Sequence, residues 1–282
     1  MVARPADAAT SAIVGRLRAA GCVFAEDEAR LLVSTATSDA ELAAMVDSRV
    51  AGLPLEHVLG WAEFCDLRII VGPGVFVPRR RSEFLVSQAV TTINSHARRA
   101  KVPVILDLCC GSGALGLAVA TALRYRQDEG TERGGAEPVA AELHAADIDE
   151  GATAYARRNL AAIGGHVHVG DLYAALPADL RGRIDLIIVN APYVPTAELH
   201  LMPAEARKHE PLVALDGGRD GVAIHRRVAA EAPKWLAVGG SLLIETSERQ
   251  APLTEAAMAD AGLATSVISD DELETTVVAG RA

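Results

Sequence analysis

Apolar positions recur at three-to-four spacing through residues 1–60, then at every second residue, and then as compact runs between amphipathic stretches. The first pattern predicts helices over Ser11–Ala20, Glu26–Thr35 and Asp39–Val50, with Ser11, Asp27 and Ser38 as N-caps. The second predicts a hairpin or pair of short strands, Trp61–Phe64 and Leu67–Val77, interrupted by a Gly72-Pro73-Gly74 turn. From Val102 onward strands and helices alternate. Residues 102–108 (VPVILDL) form a near-continuous apolar run, as expected of a strand covered on both faces. Helix Ala114–Tyr125, strand Glu142–Asp147, helix Glu150–Ile163, strands at 166–170 and 183–190, helix Gly221–Leu236 and a strand at 240–245 follow. Helix Ala251–Ala261 and short strands at Ala264–Ile268 and Thr275–Ala279 complete the chain. This alternation predicts a doubly wound α/β sheet. A small helical domain (1–60) and a β-hairpin linker (61–78) precede the α/β domain (79–282). Residues 126–138 are polar and glycine-rich without period, and read as a solvated insertion.

Composition narrows the class. The 282 residues carry 27 basic and 37 acidic side chains, a net charge of −10, which disfavours binding held by phosphate neutralisation. Four cysteines (Cys22, Cys65, Cys109, Cys110) fit neither a disulfide framework nor a zinc site, so reduced thiols and a cytoplasmic setting are expected. The eight histidines show no metal spacing. The N-terminal stretch has no signal-like apolar core, and no apolar run reaches the roughly 18 residues of a membrane span.

Three features carry chemistry. Asp107-Leu108-Cys109-Cys110-Gly111-Ser112-Gly113-Ala114-Leu115-Gly116 ends a predicted strand and opens a predicted helix, where doubly wound folds bind ligands. Within it Gly111–Gly116 matches the dinucleotide pattern GxGxxG, and a ligand-free tight turn also accounts for it. An acidic residue ending the next strand would accept hydrogen bonds from ribose hydroxyls. Asp128 has the usual spacing of about 20 residues but sits in the polar insertion, so Asp147 takes the role, with a helix N-cap as its alternative. Asp149 is a second candidate for that cap.

The third feature, Asn190-Ala191-Pro192-Tyr193, follows the buried strand and faces the same crevice. An Asn-initiated turn explains it structurally. Chemically it suits methyl transfer to a planar amino or amide nitrogen, whose lone pair is delocalised. The Asn oxygen and a neighbouring backbone carbonyl can accept both N–H hydrogens and leave the lone pair aimed at a sulfonium methyl. Orientation of that kind is worth about 7–11 kcal/mol, so no strong base is required.

These motifs resemble the HemK/PrmC group of class I methyltransferases, which use S-adenosylmethionine. The glycine loop, Asp147, Gly170-Asp171-Leu172-Tyr173 and Asn190–Tyr193 carry the resemblance. Pro78-Arg79 with Ser82-Glu83, and Glu210-Pro211 with Leu215-Asp216-Gly217-Gly218, extend it. It runs from about Arg49 to the C-terminus, and it implies a Rossmann-like methyltransferase sheet and methylation of the N5 amide nitrogen of a protein glutamine. The family's targets are the Gly-Gly-Gln motif of peptide chain release factors and a glutamine of a ribosomal protein. By this likeness Asp107, Cys109, Cys110, Gly111, Ser112 and Gly113 hold the cofactor, with Cys109–Gly113 at its methionyl end. Asp147 holds the ribose, Asp171 and Leu172 border the adenine, and Asn190 adjoins the cofactor. Asn190, Ala191, Pro192 and Tyr193 bind the substrate; Asn190, Pro192 and Tyr193 are the catalytic set. The helical N-terminus is implied to recognise the protein substrate, and no metal, membrane or direct nucleic acid is expected.

The sequence departs from the family at three places. Cys109 stands where the family has glycine, Ala191 replaces a proline, and Pro-Arg-Pro-Glu-Thr-Glu becomes Pro78-Arg79-Arg80-Arg81-Ser82-Glu83. The last change reverses a charge beside the substrate entrance and leaves another target open: a different protein, or the exocyclic amine of a nucleic-acid base. A nicotinamide-dependent oxidoreductase and a non-catalytic cofactor-binding module are the readings from other classes. The Arg79-Arg80-Arg81 run reads as a solvated face, Trp61 and Trp235 as core aromatics, Cys110 as a buried thiol, and 194–207 as a loop.

Overall fold

A computed structural model describes residues 5–95, 102–125 and 141–282. Four helices open the chain: α1 (Pro5–Ala19), α2 (Ala25–Thr35), α3 (Asp39–Val50) and α4 (Leu55–Leu59). Leu17, Ala25, Ala29, Leu32, Met45 and Val46 close a small core of their own. Ser38 caps α3 as expected, accepting from the Glu41 N–H at 3.2 Å. Two of the expected caps do not form. Ser11 lies inside α1, and α2 starts at Ala25 behind Phe24 without a side-chain cap, while Asp27 pairs with Arg30.

The hairpin forms between β1 (Trp61–Phe64) and β2 (Leu67–Ile70), with Trp61 opposite Ile70. Cys65 and Asp66 both take positive φ (50° and 58°), the twist a two-residue hairpin turn requires. Strand pairing stops before Gly72-Pro73-Gly74, although Val71, Val75 and Val77 continue into the interior. Phe64, Ile69 and these three valines join the large core, so the hairpin packs as part of the α/β body.

The main sheet has seven strands: β3 (Val104–Leu108), β4 (Glu142–Asp147), β5 (His166–Val169), β6 (Ile184–Val189), β7 (Leu236–Thr246), β8 (Ala264–Asp270) and β9 (Thr275–Arg281). Their order is β5-β4-β3-β6-β7-β9-β8, parallel from β5 to β7 and antiparallel where β9 meets β7 and β8. Alternate residues of β3 face opposite layers. Ile105 joins the core under α5 (Glu83–Ser95), α6 (Ala114–Tyr125) and α7 (Glu150–Leu160). Val104, Leu106 and Leu108 join the core under α9 (Ala223–Glu231) and α10 (Ala251–Asp260). The chain runs from β3 toward β4 and β5 on one side and returns to β6 on the other. That reversal opens a crevice at the carboxyl ends of β3 and β6.

Three helices lie outside the predicted ones: the short α4, together with α5 and α8. Leu85, Val86, Ala89, Val90 and Ile93 bury one face of α5, a helical spacing masked by its β-branched residues. Residues 194–207, read as a loop, contain a 3-10 turn (Thr196–Leu201) and the start of the short helix α8 (Ala204–His209). Trp235 is buried and stacks on Tyr173 at 5.6 Å, but Trp61 is half-buried under the Arg68 guanidinium. The polar stretch 126–138, with Asp128, lies outside the described residues. Among the described residues no helix is long and apolar enough to cross a membrane.

Candidate active site

The crevice at the switch point is a cleft, and most of the expected residues line it together: Cys109, Cys110, Gly111, Ser112, Asp147, Asp171, Leu172 and Asn190–Tyr193. Asp107 and Gly113 do not. Asp107 is fully buried beneath the loop, where Oδ2 accepts from the Gly116 N–H at 2.8 Å and anchors the first turn of α6. Burial pushes its carboxyl up to about 7, partly offset by that N–H. Gly113 faces α7, and a Cβ there would lie 3.3 Å from Ala156 and Leu160.

Asp147 is not the N-cap of α7. It ends β4 and turns back, with Oδ2 accepting from the Gly111 N–H at 2.8 Å and Oδ1 from the Asp149 N–H at 2.9 Å. The N-cap of α7 is Asp149, which accepts from Gly151 at 2.7 Å and Ala152 at 3.1 Å. Burial raises the Asp147 pKa against the pull of those N–H groups. Asp171 pairs with Arg227 at 2.6 Å across the cleft's edge.

Cys109 sits at φ 62°, the left-handed region in which glycine is normally at ease. Its thiol, like that of Cys110, is pushed far up by burial and stays protonated. Such a φ costs a residue with a Cβ about 1–2 kcal/mol. Cys109→Gly is therefore expected to keep cofactor affinity and to unfold within about 1 kcal/mol of the parent, the strain relieved offsetting the added chain entropy. Cys109→Val is expected to lose about 1–2 kcal/mol, because a β-branched side chain fits that φ least. Chemical denaturation of the two variants checks both.

Asn190 leaves β6 with its side chain tied down: Nδ2 donates to Ser82 Oγ at 3.0 Å. The following turn is braced from behind. The Tyr193 carbonyl accepts from Gln250 Nε2 at 2.7 Å, Val194 N–H donates to the Leu215 carbonyl, and Gly217 N–H donates to the Val194 carbonyl at 2.8 Å. A Cβ on Gly217 would lie 2.7 Å from both the Pro192 carbonyl oxygen and Tyr193 Cα, so glycine is required for this approach. The Leu215–Gly218 motif thus shapes the Asn190–Tyr193 turn.

The arginine run lies at the surface as expected, but two of its members are engaged there. Arg79 pairs with the buried Glu210 and stacks on Phe76. Arg81 donates to the Tyr193 hydroxyl and places Nε 3.6 Å from buried Glu245. Only Arg80 of the three has no partner recorded among the described residues. Ser82, Glu245, Gln250 and Gly217 were not singled out with roles from sequence. Glu245 carried a signal nevertheless: an acidic residue at the carboxyl end of an apolar buried strand, as Asp107 and Asp147 are. Among the described residues no group of three His, Cys, Asp or Glu side chains is placed to hold a metal ion.

A parallel sheet reversing at β3 and β6, with a glycine-rich loop, a strand-end Asp and an Asn-x-Pro-Tyr turn on one cleft, defines a class I methyltransferase. The chain is 36% identical over 218 residues to the release factor glutamine methyltransferase of Streptomyces coelicolor, spanning 77% of this chain and 71% of that one. The Geobacter sulfurreducens enzyme of that name is 36% identical over 216 residues, covering 75% and 68%. That of Bradyrhizobium diazoefficiens is 30% identical over 275 residues, covering 91% and 87%. No family model matches the chain. The protein belongs to the release factor glutamine methyltransferase family, and its methyl donor is S-adenosylmethionine.

Proposed function

We propose that the protein methylates the N5 amide nitrogen of a glutamine side chain in a peptide chain release factor, at its Gly-Gly-Gln motif. The observation that carries this reading is the Asn190–Tyr193 turn, held by Ser82, Gln250 and Gly217 against the glycine loop's cleft. The family's named substrate supports it.

The cleft fits the methyl donor chemically. Asp147 keeps a carboxylate beside the open backbone of Gly111, where a vicinal diol would find its acceptor. Ile148 and Leu172 offer apolar walls and Asp171 an acceptor for an exocyclic amine. Gly111 and Ser112, ahead of α6, would face the methionyl end, where the helix's positive end favours a carboxylate. When bound, S-adenosylmethionine supplies an electrophilic methyl on a cationic sulfur. Asn190 Oδ1 and the Ala191 carbonyl would accept the two amide hydrogens of the substrate glutamine, directing its nitrogen lone pair into the cleft. Pro192 would stiffen the turn, and Tyr193, with its hydroxyl held by Arg81, would wall the planar group. No residue needs to remove a proton beforehand; the nitrogen sheds one to solvent after the N–C bond forms.

Release factor substrates imply a cytoplasmic setting. The helical N-terminus, tied to α8 beside the cleft through Arg49 and Glu205, is well sited to meet a protein substrate. Incubation with methyl-labelled S-adenosylmethionine and purified release factor, read by peptide mass spectrometry, tests the proposal. A methyl on the Gly-Gly-Gln glutamine is the expected result. Cofactor binding without that methyl would reject the release factor and direct the search to ribosomal proteins.

Asp147→Asn is expected to weaken S-adenosylmethionine binding about 10–100-fold, the loss of a charged hydrogen-bond acceptor. Isothermal calorimetry checks it, and unchanged affinity would remove Asp147 from the cofactor site.

A further inference from the structure

We infer that Asn159, buried on α7, is a positioning residue for the methyl donor: it fixes the peptide between Ser112 and Gly113, and with it the backbone N–H groups that the glycine loop turns to the cleft. The inference rests on the donor's methionyl end lying at that loop, and owes nothing to the identity of the protein substrate. Three hydrogen bonds use both ends of the Asn159 amide. Oδ1 accepts from the Ile70 N–H at 2.8 Å, while Nδ2 donates to the Ile70 carbonyl at 3.0 Å and to the Ser112 carbonyl at 2.9 Å. No other orientation serves, because the reverse would set Nδ2 against an N–H and Oδ1 against two carbonyl oxygens.

The first two bonds finish the hairpin. Ile70 ends β2 opposite Trp61, and among the described residues the hairpin has two strands only, so the far edge of β2 meets no third. Its polar groups need partners there, and the asparagine amide supplies an acceptor and a donor side by side. That duty takes the oxygen and one amide hydrogen. The second hydrogen is left for the loop. Both segments also seat on the same stripe of α7: a Cβ on Gly72 would run into the Tyr155 hydroxyl, and one on Gly113 would lie 3.3 Å from Ala156 and Leu160. Tyr155, Ala156, Asn159 and Leu160 share that stripe at helical spacing.

The second hydrogen decides the shape of the loop. The Ser112–Gly113 peptide is gripped on both sides, its carbonyl by Asn159 and its N–H by the Cys110 carbonyl at 2.8 Å, which closes a tight turn. Gly111 and Gly113 stand at φ 52° and 76°, backbone that glycine enters and leaves freely, so the anchor has to come from outside the loop. The other donors are already assigned: Cys110 N–H to the Ala146 carbonyl, Gly111 N–H to Asp147 and Gly116 N–H to Asp107. Among the described residues this leaves the N–H groups of Ser112, Ala114 and Leu115, and all three residues line the cleft. Free N–H groups at the start of α6 suit a carboxylate such as the one on the donor's methionyl end. Release the Ser112 carbonyl, and the Ser112–Gly113 peptide can turn and scatter them.

The test measures two ligands by isothermal calorimetry on Asn159→Asp and Asn159→Ala, each first shown by circular dichroism and melting to be folded. One ligand is S-adenosylmethionine; the other is 5′-methylthioadenosine, which keeps the adenosine and the methylthio group but has no amino acid. Aspartate keeps the shape and the acceptor, yet when ionised offers no hydrogen to either carbonyl. The S-adenosylmethionine Kd is expected to rise about 10–100-fold in Asn159→Asp, and less in Asn159→Ala, because only aspartate turns an oxygen on the Ser112 carbonyl. A role in filling space predicts the opposite order. The 5′-methylthioadenosine Kd should move less than about threefold in both. An unchanged donor Kd in Asn159→Asp, an equal loss for the two ligands, or a larger loss in Asn159→Ala would overturn the inference. Should Asn159→Ala not fold, the two ligands on Asn159→Asp decide alone.

A second readout needs no ligand. The Gly113 amide should exchange its hydrogen at least about tenfold faster in both variants, since the turn it closes is no longer held. The Ile70 amide should do so only in Asn159→Ala, because aspartate still accepts its hydrogen. Parental exchange at Gly113 in Asn159→Asp would overturn the loop's dependence on Asn159. A parent protein that binds 5′-methylthioadenosine as tightly as S-adenosylmethionine would overturn the placement of the methionyl end, and the inference with it. Failure to label release factor would overturn the substrate assignment alone.

Discussion

Asn190→Ala is expected to lower kcat for release factor methylation by about 10²–10³-fold, the range seen when one preorganised polar group at a reacting centre is deleted. Its thermal midpoint and S-adenosylmethionine affinity should change little. The physical basis is the poor nucleophilicity of an amide nitrogen. Without an acceptor for its hydrogens, the substrate amide is free to rotate its lone pair out of line, and orientation of this kind accounts for several of the roughly 7–11 kcal/mol available from positioning. Asn190 is half-buried, and among the described residues its side chain is bonded to Ser82, a contact at the end of β6. The fold should therefore tolerate the truncation. The release factor KM should rise less than kcat falls, because most contacts with a protein substrate lie outside the amide itself. Single-turnover rates with labelled donor separate the two effects, and a parental rate would remove the turn from the catalytic machinery.

The α/β body was legible because its strands are short apolar runs and its helices amphipathic. Helix α6 and strand β4 fall at their expected bounds, and the strand-end carboxylate Asp147 sits on the cleft where spacing alone would have chosen Asp128. What escaped was everything set by contacts across the fold. The hydropathy of Arg79-Arg80-Arg81 is that of a surface, and the run stays there, yet Glu210 and Glu245, far along the chain, engage two of the three. Gly217 enters the sequence reading only as part of a motif likeness, and the approach of the Pro192–Tyr193 backbone is what reveals why a side chain is excluded. Asp107 shows the opposite failure. Motif likeness placed it with the cofactor, but its carboxylate faces the Gly116 N–H, inside the loop it supports. A motif thus marks which residues converge on a site without distinguishing those that touch a ligand from those that hold the shape.

Arg49→Met is expected to produce the largest loss of stability among single changes outside the cleft, about 3–5 kcal/mol, because it leaves a buried carboxylate without its counter-charge. Arg49 spends all three of its nitrogens on partners from three segments. Nε and Nη2 grip Glu28 of α2 at 2.7 and 3.1 Å, while Nη1 donates to the Leu53 carbonyl at 2.8 Å and to Glu205 of α8 at 3.1 Å. Glu28 is only 7% exposed, so water cannot replace the guanidinium. Glu205 is far more open, and Glu205→Gln should cost no more than about 1 kcal/mol. Converting both members of the buried pair, Glu28→Met with Arg49→Met, should recover most of the loss, since two apolar side chains fill the space without a stranded charge. Urea unfolding of the three variants checks the ranking. A full loss that persists in the double variant would mean that the Leu53 and Glu205 contacts, and not Glu28, set the arginine's importance. Recovery there, together with a raised release factor KM in Glu205→Gln, would separate the two duties of Arg49: neutralising Glu28 within the helical core, and tying that core to α8, whose flanking residues Met202 and Pro211 line the cleft.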